Sequence, residues 1–405
     1  MILLLFALDT LSLNLNQVIN LGISRSLSVS TARTGVDLAT IDLYDGLTDL
    51  LPTLSSYYEI RHGTELLDTT TYTYNLSLTQ TVLNTTTIYQ ILSQLDLKSL
   101  ARLTLKDEIG QLVYELTRGY IRLLVAFAMQ KSLGLAQDRA DENYRIVAAR
   151  YQVGEVSRLD LLQADLARTT AERDRIENEN RIEQLETHLS QLLDTNIYLI
   201  PTDTLPLPEA DLDPDSLIPI FFGENLAIRK ARLNRSISGK ELLFAHLALL
   251  PTISLFLSYT YSSYDPPGSI RDIWDNRRRS YGIRIDFPIF NLKDILIGIM
   301  RAKVKQKRAE IELRTTRNEA WESFSDALRR LRLSRISIEL GKKGLDAARE
   351  AFELARERYR TGTGSLLSLL TAQTDLTRSE TQYLQALSDY HITLAEIGYL
   401  LGRQE

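Results

Sequence analysis

The chain has 405 residues, a net charge of −5 and no cysteine. That length suits two or three ordinary domains or one large elongated unit. An acidic balance without a basic cluster argues against nucleic acid as a partner, and the missing thiols exclude disulfides, cysteine-ligated zinc and thiol chemistry.

Met1–Leu8 (MILLLFAL) is apolar but short. It has no basic leader and no small-residue cleavage site, so it reads as the remnant of a trimmed export signal or as the first packed residues. No run of about 20 apolar residues predicts a transmembrane helix. Asn16–Leu47 reads as one helix, with Val18, Leu21, Ile23, Val29, Val36, Ala39, Ile41 and Leu43 along its apolar stripe. Leu51–Pro52 stops it, because proline drives the preceding residue out of the helical region.

Two strands follow, at about 53–62 and 71–83. In the second, Tyr72, Tyr74, Leu76 and Leu78 alternate with Thr71, Thr73, Asn75, Ser77 and Thr79. That is a period of two, aromatic or aliphatic on one face and small polar on the other. A soluble sandwich would alternate too, but with four or more strands per half. From Thr87 to Ala149 no proline occurs, which predicts a helix of about 60 residues, roughly 90 Å long. Leu112, Leu116, Tyr120, Leu123 and Phe127 recur at spacings of three and four, and Ala136, Ala140 and Ala148 suit close antiparallel packing.

The segment YQVGEVS at 151–157 then reverses the chain. Gly154 supplies a permissive backbone, and Ser157 with Asp160 has the form of a capping box. A return helix runs from Arg158 to about Leu193, with Leu159 and Leu162 read as hairpin core. Thr195–Pro219 is a linker holding Pro201, Pro206, Pro208, Pro214 and Pro219, half of the ten prolines in the chain.

The order then repeats. A helix over Leu217–Ala248 is followed by Leu250–Pro251 and strands at about 252–264 and 279–290. Ile253, Leu255, Leu257, Tyr259 and Tyr261 alternate with small or polar residues, Phe256 excepted, and Tyr281, Ile283, Ile285 and Phe287 alternate with Gly282, Arg284 and Asp286. Asp265, Arg271, Asp272 and Trp274 lie in the loop between them, as Glu65 and Asp68 lie in the loop of the first half. A second long helix runs from Leu292 to Arg358, turns at Thr361–Gly364 and returns as Ser365–Leu401, with Leu366 and Leu369 read as core. The tips share the frame Y-x-x-G-x-x-S-x-L-x-L-L-x-A, at 151 and at 359. The chain thus divides into a first repeat at 14–194, a Pro-rich linker at 195–214 and a second repeat at 215–402.

Four strands cannot close a barrel by themselves, and lipid tolerates no open strand edge. Three chains with four strands each would form a twelve-stranded barrel, polar faces inward and Tyr/Leu/Ile faces toward lipid. Arg284 and Asp286 then read as a cross-strand pair in the lumen. His62, His188, His246 and His391 are scattered without ligand spacing, so neither a metal nor a cofactor is expected. No nucleotide fingerprint or nucleophile elbow is present, and the carboxylates read as surface partners of Arg and Lys, so no enzyme is expected. A soluble coiled-coil scaffold or adaptor without channel activity is the alternative that the long charged helices allow.

This layout resembles the TolC family of outer-membrane efflux proteins. The resemblance spans Asn14–Gly402 and rests on Leu51–Pro52, Leu250–Pro251, Phe287–Pro288–Ile289–Phe290, both tip segments and the closing LAEIGYLLG at 394–402. It implies a mostly α protein with a membrane β-barrel: a homotrimer in the outer membrane of a Gram-negative-type bacterium, extending into the periplasm as a helical tunnel. It further implies outer-membrane lipid around the barrel, docking of the tips on a periplasmic adaptor (membrane fusion) protein, and an inner-membrane pump of RND, ABC or MFS type. The function expected is an exit duct of a tripartite efflux or type I secretion system. Val153, Gly154, Glu155, Val156 and Ser157, with Thr361, Gly362, Thr363, Gly364 and Ser365, are the implied docking residues. Family members close the periplasmic mouth with aspartate rings and a Tyr/Arg/Asp network. Here Tyr359 keeps the tyrosine, Gly364 stands where an arginine can sit, and Ser368 and Thr371 stand where aspartates can sit. Asp160 is left as the candidate anionic ring, with helix capping as its competing role.

Overall fold

A computed structural model describes residues 10–63, 69–195, 198–207, 214–287 and 292–403. Met1–Leu8, Glu65, Asp68, Pro208 and Pro288–Ile289–Phe290 lie outside the described residues. The elements in chain order are β1 (Thr10–Leu13), α1 (Leu15–Arg25), α2 (Leu27–Thr48), β2 (Thr53–Gly63), β3 (Thr69–Leu83), α3 (Thr85–Gln152) and α4 (Arg158–Leu192). Then come β4 (Tyr198–Pro201), α5 (Pro214–Glu224), α6 (Leu226–Leu247), β5 (Thr252–Ser263), α7 (Ile270–Asp275), β6 (Arg278–Asp286), α8 (Leu292–Arg360) and α9 (Leu366–Leu400). No described helix is long and apolar enough to cross a membrane.

Two compact units draw on both halves of the chain: Met1–Thr31, Lys106–Leu226 and Asn318–Glu405 in one, Ala32–Leu105 and Ala227–Arg317 in the other. The first is mainly helical and also holds β1 and β4. Phe221 and Phe324 are fully buried and stack at 4.3 Å, with Trp321 tilted against both. Asn178, buried in α4, donates to the Ala126 carbonyl and to Gln130 of α3. Gln373, buried in α9, donates to the Ala136 carbonyl. These amides fix the helix register where small side chains would let the helices slide, since a buried polar group must keep its partner.

Tyr399 lies over Gly110, stacks on Tyr114 at 6.0 Å and donates to Asp107 at 3.1 Å. Burial first, then the Asp107 carboxylate, pushes its hydroxyl up from 10.0 to about 12. The fold therefore prefers the neutral phenol, and this contribution is intact below pH 10 and lost as pH rises to about 12. Tyr399→Phe should weaken the protein at neutral pH and flatten the loss of stability between pH 10 and 12, read by denaturant unfolding across that window. An unchanged pH profile would contradict the assignment.

Three sequence expectations need correction. The helix expected over Asn16–Leu47 is two helices: Ser26 leaves the helical region (φ −56°, ψ 127°), and its hydroxyl lies 3.5 Å from the Val29 amide. The helix expected over Leu217–Ala248 also breaks, at Asn225, whose buried side chain donates to the Leu400 carbonyl at 2.9 Å. It thus satisfies one of the unpaired carbonyls at the end of α9. The linker contains β4, which pairs in parallel with β1 from Thr10↔Tyr198 to Leu13↔Pro201. Tyr120 bonds this region to the core, its hydroxyl lying 3.0 Å from the Leu13 carbonyl and 2.9 Å from Asp203.

Candidate functional site

The second unit holds an antiparallel sheet of order β2-β3-β5-β6. Register alone sorts its side chains. Ser55 opposes Ser77, Ser77 opposes Ser258, and Ser258 opposes Ser280, which puts one row of serines on one face. Their neighbours on that face are Thr73, Asn75, Thr260, Arg284 and Asp286. On the other face Leu78 opposes Leu54 and Leu257, and Leu257 opposes Tyr281. That second face is uncovered: Leu54, Ile60, Tyr281 and Ile283 are all more than half exposed.

The apolar face is graded along the strands. Toward the loop end it carries Tyr58, Tyr72, Tyr74, Tyr259 and Tyr261, and toward the helix end Leu54, Leu78, Leu255, Ile253, Ile283 and Ile285. Aromatic rings at one rim of an aliphatic band are what a bilayer interface selects, because the ring is apolar and its hydroxyl is wet. Both strand-to-strand connections, 64–68 and 264–277, leave one end of the sheet. The longer helices that flank these strands, α2, α3, α6 and α8, join at the other end, while the short α7 lies in the second connection. β2 and β6 are the outer strands, each with one edge unpaired among the described residues.

Arg284 and Asp286 share the polar face, but they are not a cross-strand pair. The register sets Ser254 opposite Arg284 and Thr252 opposite Asp286. Arg284 instead lies 5.3 Å from the centroid of the Phe256 ring. Gly282 stands opposite Phe256, and a Cβ there would come within 3.2 Å of the ring. The exception in the alternation therefore has a cause: a glycine on the next strand makes room for one large side chain, and an arginine covers it.

The two tips lie in the helical unit. Gly154 (φ +78°) and Gly362 (φ +74°) take the left-handed conformation that costs other residues about 1–2 kcal/mol. In the first tip the Glu155 amide donates to the Arg150 carbonyl at 2.9 Å, and in the second the Thr363 amide donates to the Arg358 carbonyl at 2.9 Å. Ser157 and Ser365 cap α4 and α9. Asp160 closes a full capping box, accepting from the Ser157 amide at 3.0 Å and its hydroxyl at 2.7 Å. Its counterpart Ser368 shares a hydrogen bond of 2.8 Å with the Ser365 hydroxyl. Gly364 has no room for a larger residue: a Cβ would lie 3.1 Å from the Tyr359 amide nitrogen.

Val153, Gly154, Glu155, Ser157, Thr361, Gly362, Thr363 and Ser365 are exposed, while Val156 and Gly364 are partly covered. Tyr359 is not at the surface. It packs on a core of Val147, Ala164 and Leu366, and Arg150 lies 5.3 Å from its ring centroid. Ser368 and Thr371 are exposed on α9, and Thr371 lines an open groove of about 1210 Å³ between α3, α4 and α9. Leu366 and Leu369 are buried, as hairpin core should be. Leu159 and Leu162 are not: both are more than half exposed, and Leu166 continues their stripe. The helical period turns Leu161 inward instead. A run of leucines shows that a helix packs on something, but not which leucine faces which partner. Arg150 on Tyr359 had no sequence signal either, since the two are brought together only by the packing of two hairpins.

A family model described as outer membrane efflux protein matches residues 217–403. The outer membrane efflux protein BepC of Brucella suis biovar 1 is 25% identical over 252 residues, covering 62% of this chain and 54% of that protein. Nodulation protein T of Rhizobium leguminosarum bv. trifolii is 23% identical over 407 residues, covering 96% of this chain and 85% of the relative. Thus the chain spans about half the length of the first relative and most of the second. The Campylobacter jejuni CmeC outer membrane channel has the same fold, with a TM-score of 0.85 at 18% identity over 96% of this chain and 85% of that one. An uncovered apolar sheet face, long paired helices in both halves and these matches agree: residues 217–403 match the outer membrane efflux protein family, and the whole chain has the fold of the outer membrane channels it is similar to.

Proposed function

We propose that three copies of this chain form the channel, each contributing β2, β3, β5 and β6 to a twelve-stranded barrel. The observation that carries this reading is the open sheet with an uncovered apolar face, because a bilayer tolerates such a sheet only when its edges are closed. Leu296, Met300, Val304 and Ile311 add an exposed stripe along α8 that a neighbouring copy would cover. The repeats at 14–194 and 215–402, joined by the 195–214 linker, each supply one helical hairpin to a periplasmic passage. Their tips, Val153–Ser157 and Thr361–Ser365, dock on a periplasmic adaptor that connects to an inner-membrane pump of RND, ABC or MFS type. Substrates pass without chemistry. Purified protein in a planar bilayer should give discrete conductance steps, and its mass in detergent should be that of a trimer. A monomer that stays soluble without detergent would refute the reading.

The mouth of this passage is held mainly by packing. Tyr359 and Leu366 lie in one core, Asp160 is engaged in its own cap, and Ser368 and Thr371 bring no charge. Divalent cations from the periplasmic side should therefore block conductance only weakly, and Asp160→Ala should change that block little while fraying α4 by about 1 kcal/mol. Strong block that is abolished by changing Thr371 but not Asp160 would overturn this account of the gate.

A further inference from the structure

The loop end of the sheet carries three consecutive arginines, Arg277, Arg278 and Arg279. No acidic side chain among the described residues forms a salt bridge with any of them, although Asp265, Asp272 and Asp275 lie in the same loop and Asp275 pairs with Arg271. Two of the three are held on aromatic rings. Arg277 lies 4.8 Å from the Trp274 centroid and 5.6 Å from that of Tyr259, and Arg279 lies 5.8 Å from that of Tyr259. Arg277 also donates to the Trp274 carbonyl, and its Nε is buried without a hydrogen-bond partner, which leaves the remaining guanidinium nitrogen and the exposed Arg279 to face a ligand. Tyr259 and Arg279 oppose each other on the apolar face, and Arg278 opposes Thr260 on the polar face. Two guanidinium groups thus sit at the aromatic rim of the lipid-facing surface, braced by rings, with edges free of protein acids.

We infer that Arg277 and Arg279, with Trp274 and Tyr259, form a binding site for a phosphate-bearing lipid headgroup in the outer leaflet. The inference rests on the reading of the sheet as membrane barrel, which sets the loop end away from the long helices and at the outer interface. A planar guanidinium pairs with phosphate oxygens through two parallel hydrogen bonds. Stacking on Tyr259 and Trp274 fixes the fork before the ligand arrives, and the apolar face below accepts the acyl chains. A lipid satisfies both halves of this surface, whereas free phosphate satisfies only the first.

The test is native mass spectrometry of the full-length protein in detergent, with diphosphorylated lipid A as the probe. Wild-type protein should retain the lipid, and Arg277→Gln with Arg279→Gln should lower retention by roughly tenfold or more, given the strength of charge-assisted hydrogen bonds. Arg278→Gln removes the same charge from the opposite face and should leave retention unchanged. Lipid A stripped of both phosphates should bind no better to wild type than to the double variant, and millimolar inorganic phosphate should not displace the intact lipid. Equal retention by wild type and double variant, an equal loss in Arg278→Gln, or displacement by inorganic phosphate would each overturn the inference. Bilayer conductance separates the two readings. If wild type and double variant both insert and conduct while retaining lipid equally, only the lipid site fails; if wild type does not insert, the barrel reading fails with it.

Discussion

Phe324→Ala is expected to lower the stability of the helical unit by about 3–5 kcal/mol, the usual cost of emptying a fully buried aromatic site. Phe324 has no exposed surface, stacks on the equally buried Phe221 at 4.3 Å and touches Trp321. Phe222 stacks on Trp321 at 5.5 Å. Four aromatic rings from α5 and α8 therefore share one packing site, and the deletion leaves rigid rings that cannot collapse into the space. In the assembled channel the change should appear as a melting temperature lowered by roughly 2–4 °C per kcal/mol lost, and as faster trypsin cleavage in α5 and α8. A variant with wild-type melting and wild-type protease resistance would show that this cluster is not a principal core.

The second large effect concerns function. On the proposed docking role of the tips, Gly154→Val with Gly362→Val should remove a periplasmic adaptor from pull-downs and abolish efflux in a strain that lacks its own channel protein. Both glycines have positive φ with open space around them, so the obstacle is backbone conformation and not a clash. A β-branched residue strains that conformation most, whereas asparagine tolerates it. Gly154→Asn with Gly362→Asn should therefore keep much of the activity. Conductance of the valine variant in bilayers should remain near wild type, because the sheet lies in the other compact unit. Loss of conductance together with efflux would mean that the tips are needed for assembly and do not act as a docking surface alone.

Much of the sheet was legible in the amino-acid order because a strand has a period of two. Tyr72, Tyr74, Leu76 and Leu78 can share a face in only one way, and the observed register places them there. The tip turns were legible too. Glycine is the residue that takes positive φ without penalty, and a serine three residues before Asp160 or Ser368 marks a helix start. Breaks inside the short helices were not legible. Ser26 and Asn225 interrupt otherwise continuous helical patterns, and what fixes Asn225 is a carbonyl 175 residues away. The four-residue pair of β1 and β4 was hidden for the same reason, since neither segment is long enough to show a period.

The sequence by itself determined the repeated order of elements, the two faces of the sheet and the reversals at Gly154 and Gly362, because each depends on local periodicity or on one residue's backbone freedom. Tertiary structure decided which leucines are covered, turning Leu161 inward and Leu159 and Leu162 outward. It also seated Arg284 on Phe256, Arg150 on Tyr359, and Arg277 and Arg279 on Tyr259. Arg284 and Tyr359 are candidate site residues in the sequence, but none of these pairings is legible there, because contacts between side chains on different elements depend on the packing of whole helices and strands, which no local pattern encodes.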